Sequence, residues 1–161
     1  MYYRKDGKTK DLIHHLKYKG NQEIGTFIGE WFGSVLNESN EFNDIDCIIP
    51  VPLHPKKQKQ RGYNQLTTFG LSVSKHLNKP YITDALLRTT ASKTQTFKQR
   101  FERFSNSGTK FSVPNTSILK NKHILLIDDV ITTGATLESC CKELLTSENI
   151  KISIATIAYT E

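Results

Sequence analysis

Apolar and polar positions alternate along this chain with two different periods, and the order of those periods predicts an α/β architecture. Lys10 to Lys19 and Ile24 to Leu36 read as helices. In the second, Ile24, Phe27, Ile28, Trp31, Phe32, Val35 and Leu36 form one stripe at helical spacing, which predicts a face turned to the core. Gly25, Gly29 and Gly33 recur every four residues of the same segment. Glycine inside a helix costs about 1 kcal/mol relative to alanine, so three of them predict a neighbouring backbone passing close by.

Ile45 to Val51 reads as a strand, Pro52 to Gln65 as a loop, and Leu66, Phe69, Val73 and Leu77 as the apolar face of a helix. The order of strand, loop, helix and strand recurs around residues 80 to 88 and again at 123 to 159. Residues 89 to 110 break the pattern: they are polar, rich in Thr, Ser, Lys, Gln and Arg, with Phe97, Phe101 and Phe104 spaced along them. A connection of that length in a compact domain is usually functional or disordered. The X-Pro bonds at Pro50, Pro52 and Pro55 are open to either isomer.

The run His123 to Ile127 holds four consecutive apolar residues without alternation, as a strand buried on both faces requires. Asp128 and Asp129 then emerge at its carboxyl end, ahead of Val130, Ile131, Thr132, Thr133, Gly134, Ala135 and Thr136 and a further helix. Crevices at the carboxyl ends of strands are where open α/β sheets bind ligands. The threonines supply hydroxyls, Gly134 lets the backbone close around a ligand, and the first amides of the helix are unpaired donors at a positive dipole end. Two carboxylates repel a bare phosphate, so they are expected to face hydroxyls or a hydrated magnesium ion; a ribose 5-phosphate offers both kinds of group.

A solvated strand end is the plain alternative, and the Thr-Thr-Gly-Ala-Thr continuation argues against it. A nucleoside triphosphatase strand needs a partner loop G-x-x-x-x-G-K-[ST]. The one candidate, Gly7-Lys8-Thr9, has Tyr2 where the first glycine belongs and no strand before it. A receiver domain carries its paired acids near the chain start, whereas here only Ile150 to Tyr159 follows as a strand.

At 161 residues the chain suits one domain, with 1–40 a helical segment set apart from a core at 45–161. Its three cysteines, Cys47, Cys140 and Cys141, are odd in number and lack C-x-x-C spacing, which fits a reducing compartment. Cys140 and Cys141 share a helical face with Leu137, Leu144 and Leu145, a packing role. With no apolar stretch long enough for a signal peptide or membrane span, a cytoplasmic protein without membrane insertion is expected. A net charge of +6 points to anionic partners without choosing between phosphorylated small molecules and nucleic acid.

The segment from the apolar strand through Thr136 resembles the phosphoribosyl-pyrophosphate (PRPP) motif of type I phosphoribosyltransferases. The resemblance implies their fold: a mostly parallel central sheet flanked by helices, an N-terminal helical hood and a long flexible loop. It also implies that Asp128 and Asp129 hold the ribose 2- and 3-hydroxyls while Thr132 to Thr136 wrap the 5-phosphate, with Val130, Ile131, Gly134 and Ala135 completing the PRPP-binding run. Magnesium would arrive with PRPP and water near the two acids, without a direct protein ligand set.

Further matches narrow the likeness to the ComF-like branch, which is associated with DNA uptake in competent bacteria. They are Leu16-Lys17-Tyr18-Lys19-Gly20, Pro50-Val51-Pro52-Leu53-His54-Pro55, Arg61-Gly62-Tyr63-Asn64-Gln65, Leu87-Arg88, Gln95, Gln99 to Phe104 and Phe111. Members of that branch commonly begin with a four-cysteine zinc ribbon; no cysteine precedes Cys47 here. By position, the loop from Pro52 to Arg61 corresponds to the one that meets pyrophosphate, with Lys56 and Arg61 as the expected contacts. Arg88 to Arg103 sits where the family has a lid, from which Lys98, Arg100 and Arg103 would bring cations onto the leaving group. His14, His15 and Lys17 lie in the hood region that selects the acceptor, and are themselves expected to be solvated helix residues.

Two functions follow from the likeness. One is a magnesium-dependent phosphoribosyl transfer, possible in DNA uptake, to an acceptor that these residues do not name. The other is a non-catalytic PRPP or nucleotide sensor, or a single-stranded DNA-binding accessory working with competence proteins, for which the basic loops with Tyr63, Phe97 and Phe101 offer cations and stacking surfaces.

Overall fold

The computed structural model describes residues 1–4, 7–89 and 110–160. Its elements in chain order are α1 (Lys8–Tyr18), α2 (Gln22–Glu38), β1 (Cys47–Pro50), α3 (Pro55–Arg61), α4 (Thr67–Leu77), β2 (Leu87–Thr89), β3 (Lys110–Ser112), β4 (His123–Ile131), α5 (Ala135–Leu144) and β5 (Lys151–Tyr159). A short 3-10 turn, Thr116–Leu119, leads into β4.

The central sheet is parallel, in the order β1-β4-β5. Both edges are extended by short segments. Ile48 donates its N–H to Pro80 O, and Ile82 donates to Ile48 O, so the chain around Tyr81 runs parallel to β1. Tyr3 donates to Tyr159 O, and Tyr159 donates to Met1 O, which lays the first residues along β5. The resulting layer is flanked by α4 on one face and α5 on the other. Ile124 to Ile127 of β4 are fully buried, as a strand covered on both sides must be. β2 and β3 form a separate antiparallel pair beside α5.

The glycine spacing of α2 is explained by α4. A Cβ on Gly29 would stand 2.6 Å from Phe69 O and 2.7 Å from Ser72 Cβ, and one on Gly33 would stand 2.8 Å from His76 Cβ. On Gly25 it would overlap Thr68 Oγ1. The two helices therefore meet at backbone distance, as the spacing predicts.

That contact overturns the expected single apolar stripe. The face of α2 turned inward is Gly25, Ile28, Gly29, Gly33 and Leu36. Phe27 and Trp31 are 75% and 61% exposed, and Val35 also points outward. The seven apolar residues span too wide an arc for one contact, and the glycines decide which part of it the neighbouring helix can approach.

A second difference lies at 52–61, read above as a loop. Residues 55–61 form α3: Pro55 occupies its first turn, His54 Nδ1 accepts from the amide of Lys56, and Gly62 ends it at φ 77°. Proline inside a helix start and a left-handed glycine after its end are the usual boundary signals. The bonds preceding Pro50, Pro52 and Pro55 are trans. A third difference is that β4 does not stop before the acids. Its pairing with β5 continues through Asp128, Val130 and Ile131.

Candidate functional site at the carboxyl end of β4

Because both acids belong to the strand, successive side chains leave it on opposite faces. Asp129 follows Ile127 toward α4 and α1, where it is buried. Its Oδ2 accepts from Gln65 Nε2 at 2.5 Å and lies 2.9 Å from Lys17 Nζ. Asp128 turns to the side of α5 and β2, and its Oδ1 accepts the amide of Asp129 at 2.8 Å. Burial, and after it the charge of Asp129, push the Asp128 carboxyl up to about 7, against opposing effects of the Asp129 amide, Lys17 and Arg88. One acid is thus compensated by a cation and an amide, and the other sits near neutrality.

The clamp on Asp129 extends outward. Arg61 donates to Gln65 Oε1 at 2.7 Å, and its guanidinium lies 4.7 Å from the centre of the Tyr18 ring. Tyr63 donates its hydroxyl to Leu16 O at 2.8 Å. The Arg-Gly-Tyr-Asn-Gln run is therefore the piece that fastens the end of α1 over the strand ends. Gly62 permits this by turning the chain sharply at φ 77°, so that Arg61 and Tyr63 both reach α1.

Beyond the acids, Gly134 at φ 76° caps α5 and folds Thr132 to Thr136 around a small hollow of about 30 Å³, which Asp128 also lines. Ala135 donates its amide to Thr133 Oγ1 at 3.4 Å, and the first intrahelical bond runs from Glu138 N to Gly134 O. The remaining early amides of the helix have no intrahelical acceptor, and Thr132, Thr133 and Thr136 line the hollow.

Two larger cavities lie at the carboxyl ends of the strands, and only the first reaches this loop. One, of 330 Å³, lies between α1 and β4 and is lined among others by Tyr3, Lys10, His14, Lys17, Asp129 and Thr132. The other, of 650 Å³, lies past the end of β1 and is lined among others by Pro52, Gly62, Asn64, Thr67, Asp84 and Arg88.

The structure gathers Asp128, Val130, Ile131, Thr132, Thr133, Gly134, Ala135 and Thr136 around the small hollow, while Asp129 leaves the strand on the other face and lines the cavity beside α1 with Val130 and Thr132. Arg61 joins them through Gln65. Lys56 stands exposed on the first turn of α3. Lys98, Arg100 and Arg103 lie outside the described residues, as do Phe97 and Phe101. His14 and His15 are exposed, as expected of solvated helix residues, but Lys17 is not: its side chain is 22% exposed and paired with Asp129. In the sequence Gln65 and Arg88 stand out only as parts of motifs; their places beside Asp129 and Asp128 depend on contacts 64 and 40 residues apart in sequence, which no local pattern encodes.

Among the described residues no group of three or more His, Cys, Asp or Glu side chains is placed to hold a metal ion. Asp128 at the hollow and Asp129 on the other face of the strand end would be the carboxylates to meet magnesium, which keeps several waters and is commonly held by one or two carboxylates with substrate phosphates. The cysteines are packing groups: burial pushes Cys47 up to about 11 and Cys140 up to about 12, far from reactive thiolates. Among the described residues no helix is long and apolar enough to cross a membrane.

A parallel sheet with paired acids at the end of its middle strand, followed by a threonine- and glycine-rich turn into a helix, defines an α/β protein of the type I phosphoribosyltransferase fold. The chain belongs to the phosphoribosyl transferase domain family, whose pattern matches residues 69–161. Among known proteins it is similar to Competence protein F of Haemophilus influenzae, 35% identical over 83% of this chain and 60% of that protein. It is 28% identical to DNA utilization protein YhgH of Escherichia coli K12, with the same coverage. The chain thus spans about three fifths of the length of these relatives. In fold it is similar to the glutamine PRPP amidotransferase of B. subtilis, with a TM-score of 0.58 over 89% of this chain and 30% of that one, at 13% identity. The likeness to the ComF-like branch and the expected fold class are both borne out.

Proposed function

We propose that this chain binds PRPP with magnesium and transfers the phosphoribosyl group to an acceptor, as one domain with a hood at 1–40 over a core at 45–161. The observation that carries the reading is the placement of Asp128, Asp129 and the Thr132–Thr136 hollow around one strand end. The 5-phosphate occupies the hollow, taking amide and hydroxyl donors. The ribose hydroxyls lie against the acids. Both donors to Asp129 land on Oδ2, which leaves Oδ1 as an acceptor for such a hydroxyl among the described residues.

Magnesium, when bound with PRPP, supplies charge neutralisation for the departing pyrophosphate. Arg88, beside the 650 Å³ cavity, is placed to meet that pyrophosphate; Arg61, Lys56, Lys98, Arg100 and Arg103 complete the proposed cationic set. In the transfer, an acceptor lone pair forms a bond to the anomeric carbon as the carbon–oxygen bond to pyrophosphate breaks, with the electron pair leaving on pyrophosphate. The protein's part is positioning and charge compensation.

The names of the relatives place them in competence and DNA utilization, and we assign this chain to the same process, in the cytoplasm, with competence proteins or single-stranded DNA as partners. Calorimetric titration of magnesium-PRPP into the wild type and into an Asp128→Asn, Asp129→Asn double variant tests the site. Binding by the wild type that is weakened at least tenfold in the variant supports it, and no binding by the wild type overturns it. Pyrophosphate release with an acceptor then separates a transferase from a sensor.

A further inference from the structure

We infer that the acceptor pocket selects a planar ligand bearing a negative charge, an aromatic or heteroaromatic acid, over its neutral counterpart. This rests on the PRPP reading above for its location and on the lining of the 330 Å³ cavity for its chemistry. The volume falls in the range of about 300–1,000 Å³ usual for small-ligand sites. It touches Asp129 and Thr132 on one side, so a ligand within it abuts the place of the ribose.

The opposite side is α1, which turns Lys10, His14 and Lys17 to the cavity at positions i, i+4 and i+7. Tyr3, laid along β5 by its bond to Tyr159, and Tyr18 add two aromatic rings to the lining, the latter 5.0 Å from the His14 ring. Charge decides the class. Among the described residues Asp129 is the one carboxylate in the lining, and Lys17 compensates it at 2.9 Å. Lys10 has no ion-pair partner among the described residues, which leaves a surplus positive charge next to flat apolar surface. A neutral ring would fill the aromatic surface and leave the exposed Lys10 to water, whereas a carboxylate substituent on the ring pairs with it.

The test is a calorimetric comparison of acid and neutral pairs, nicotinate against nicotinamide and orotate against uracil, titrated into protein with and without saturating magnesium-PRPP. Magnesium-PRPP is first titrated alone, which judges the PRPP reading separately. At least one acid is expected to bind tenfold or more tightly than its neutral partner. Lys10→Gln should cut that ratio below about threefold, and Lys10→Glu should reverse it, with melting curves confirming that both variants fold and with PRPP affinity within about twofold of wild type. Equal or tighter binding of both neutral partners overturns the inference, as does binding of none of the four, or an acid preference untouched by Lys10→Glu. A loss of PRPP affinity in Lys10→Gln that matches the loss of acid affinity also overturns it, because Lys10 would then serve the 5-phosphate. If acids bind in a Lys10-dependent way while PRPP does not bind, the aromatic-acid site stands and the PRPP reading falls.

Discussion

The ammonium of Lys17 lies 2.9 Å from Oδ2 of Asp129, joining the last turn of α1 to the carboxylate at the end of β4 across 112 residues of sequence. The pair is largely shielded, with 22% of the lysine side chain and 8% of the aspartate side chain exposed. It ties the second acid of the Asp128–Asp129 pair to the helix that forms one wall of the neighbouring cavity.

Removing one partner of such a pair should cost more than removing both. Lys17→Met is expected to lower stability by about 1–3 kcal/mol, because a buried carboxylate is left with Gln65 alone. Asp129→Asn added to that variant should cost less than it does in the wild type. Urea unfolding of the two single variants and the double variant measures the coupling, and simple additivity would show that the contact is incidental.

The raised Asp128 sets a pH dependence. Its ordinary value is 3.8 and its folded value about 7, so between those limits the native state holds a proton that the unfolded chain has released. Stability must then fall as pH rises from about 4 to about 7 through this group. Melting temperatures across that range should decline less in Asp128→Asn than in the wild type. Magnesium-PRPP affinity should strengthen between pH 6 and 8 in the wild type more than in the variant, since the carboxylate is the form that accepts from ribose.

Gly29→Ala is expected to destabilise the protein despite alanine's better helix propensity. The new Cβ would meet Phe69 O at 2.6 Å, a backbone atom that cannot swing aside. Overpacking of that kind costs about 1–3 kcal/mol, against a propensity gain of about 1 kcal/mol. A midpoint in urea that rises would show that α2 and α4 sit farther apart than described.

The two faces of α2 should respond oppositely to substitution. Phe27→Gln on the exposed face is expected to stay within about 0.5 kcal/mol of wild type. Ile28→Ala, one residue along and buried, should cost about 2–5 kcal/mol. Equal costs in thermal or chemical unfolding would contradict the assignment of faces.

The legible parts of this chain are those written in contiguous residues. The unbroken apolar run at Ile124–Ile127 announced a strand covered on both faces, and the threonines and glycine behind it announced a turn that folds around a small hollow at a helix start. The spacing of Gly25, Gly29 and Gly33 announced a close helix neighbour, though not which. The helix at Pro55–Arg61 was signalled by Pro55 and Gly62, and was obscured by its lack of any buried residue, so that no apolar period marked it. The face of α2 was misread because an apolar stripe reports what is water-averse and not what another helix is shaped to receive.

By itself, then, the sequence determined the α/β alternation, the motif at Asp128–Thr136 and the family, because strand burial, turn chemistry and helix starts depend on neighbours within a few residues. Only the tertiary structure decided that the two acids leave β4 on opposite faces and that Lys17 and Gln65 converge on Asp129, with Arg61 behind Gln65, while Arg88 sits toward Asp128. Those relations depend on how far β4 remains paired with β5 and on where the end of α1 is fastened. Both are settled by contacts between segments distant in the chain, whose energy comes from shared burial and from compensating a charge removed from water.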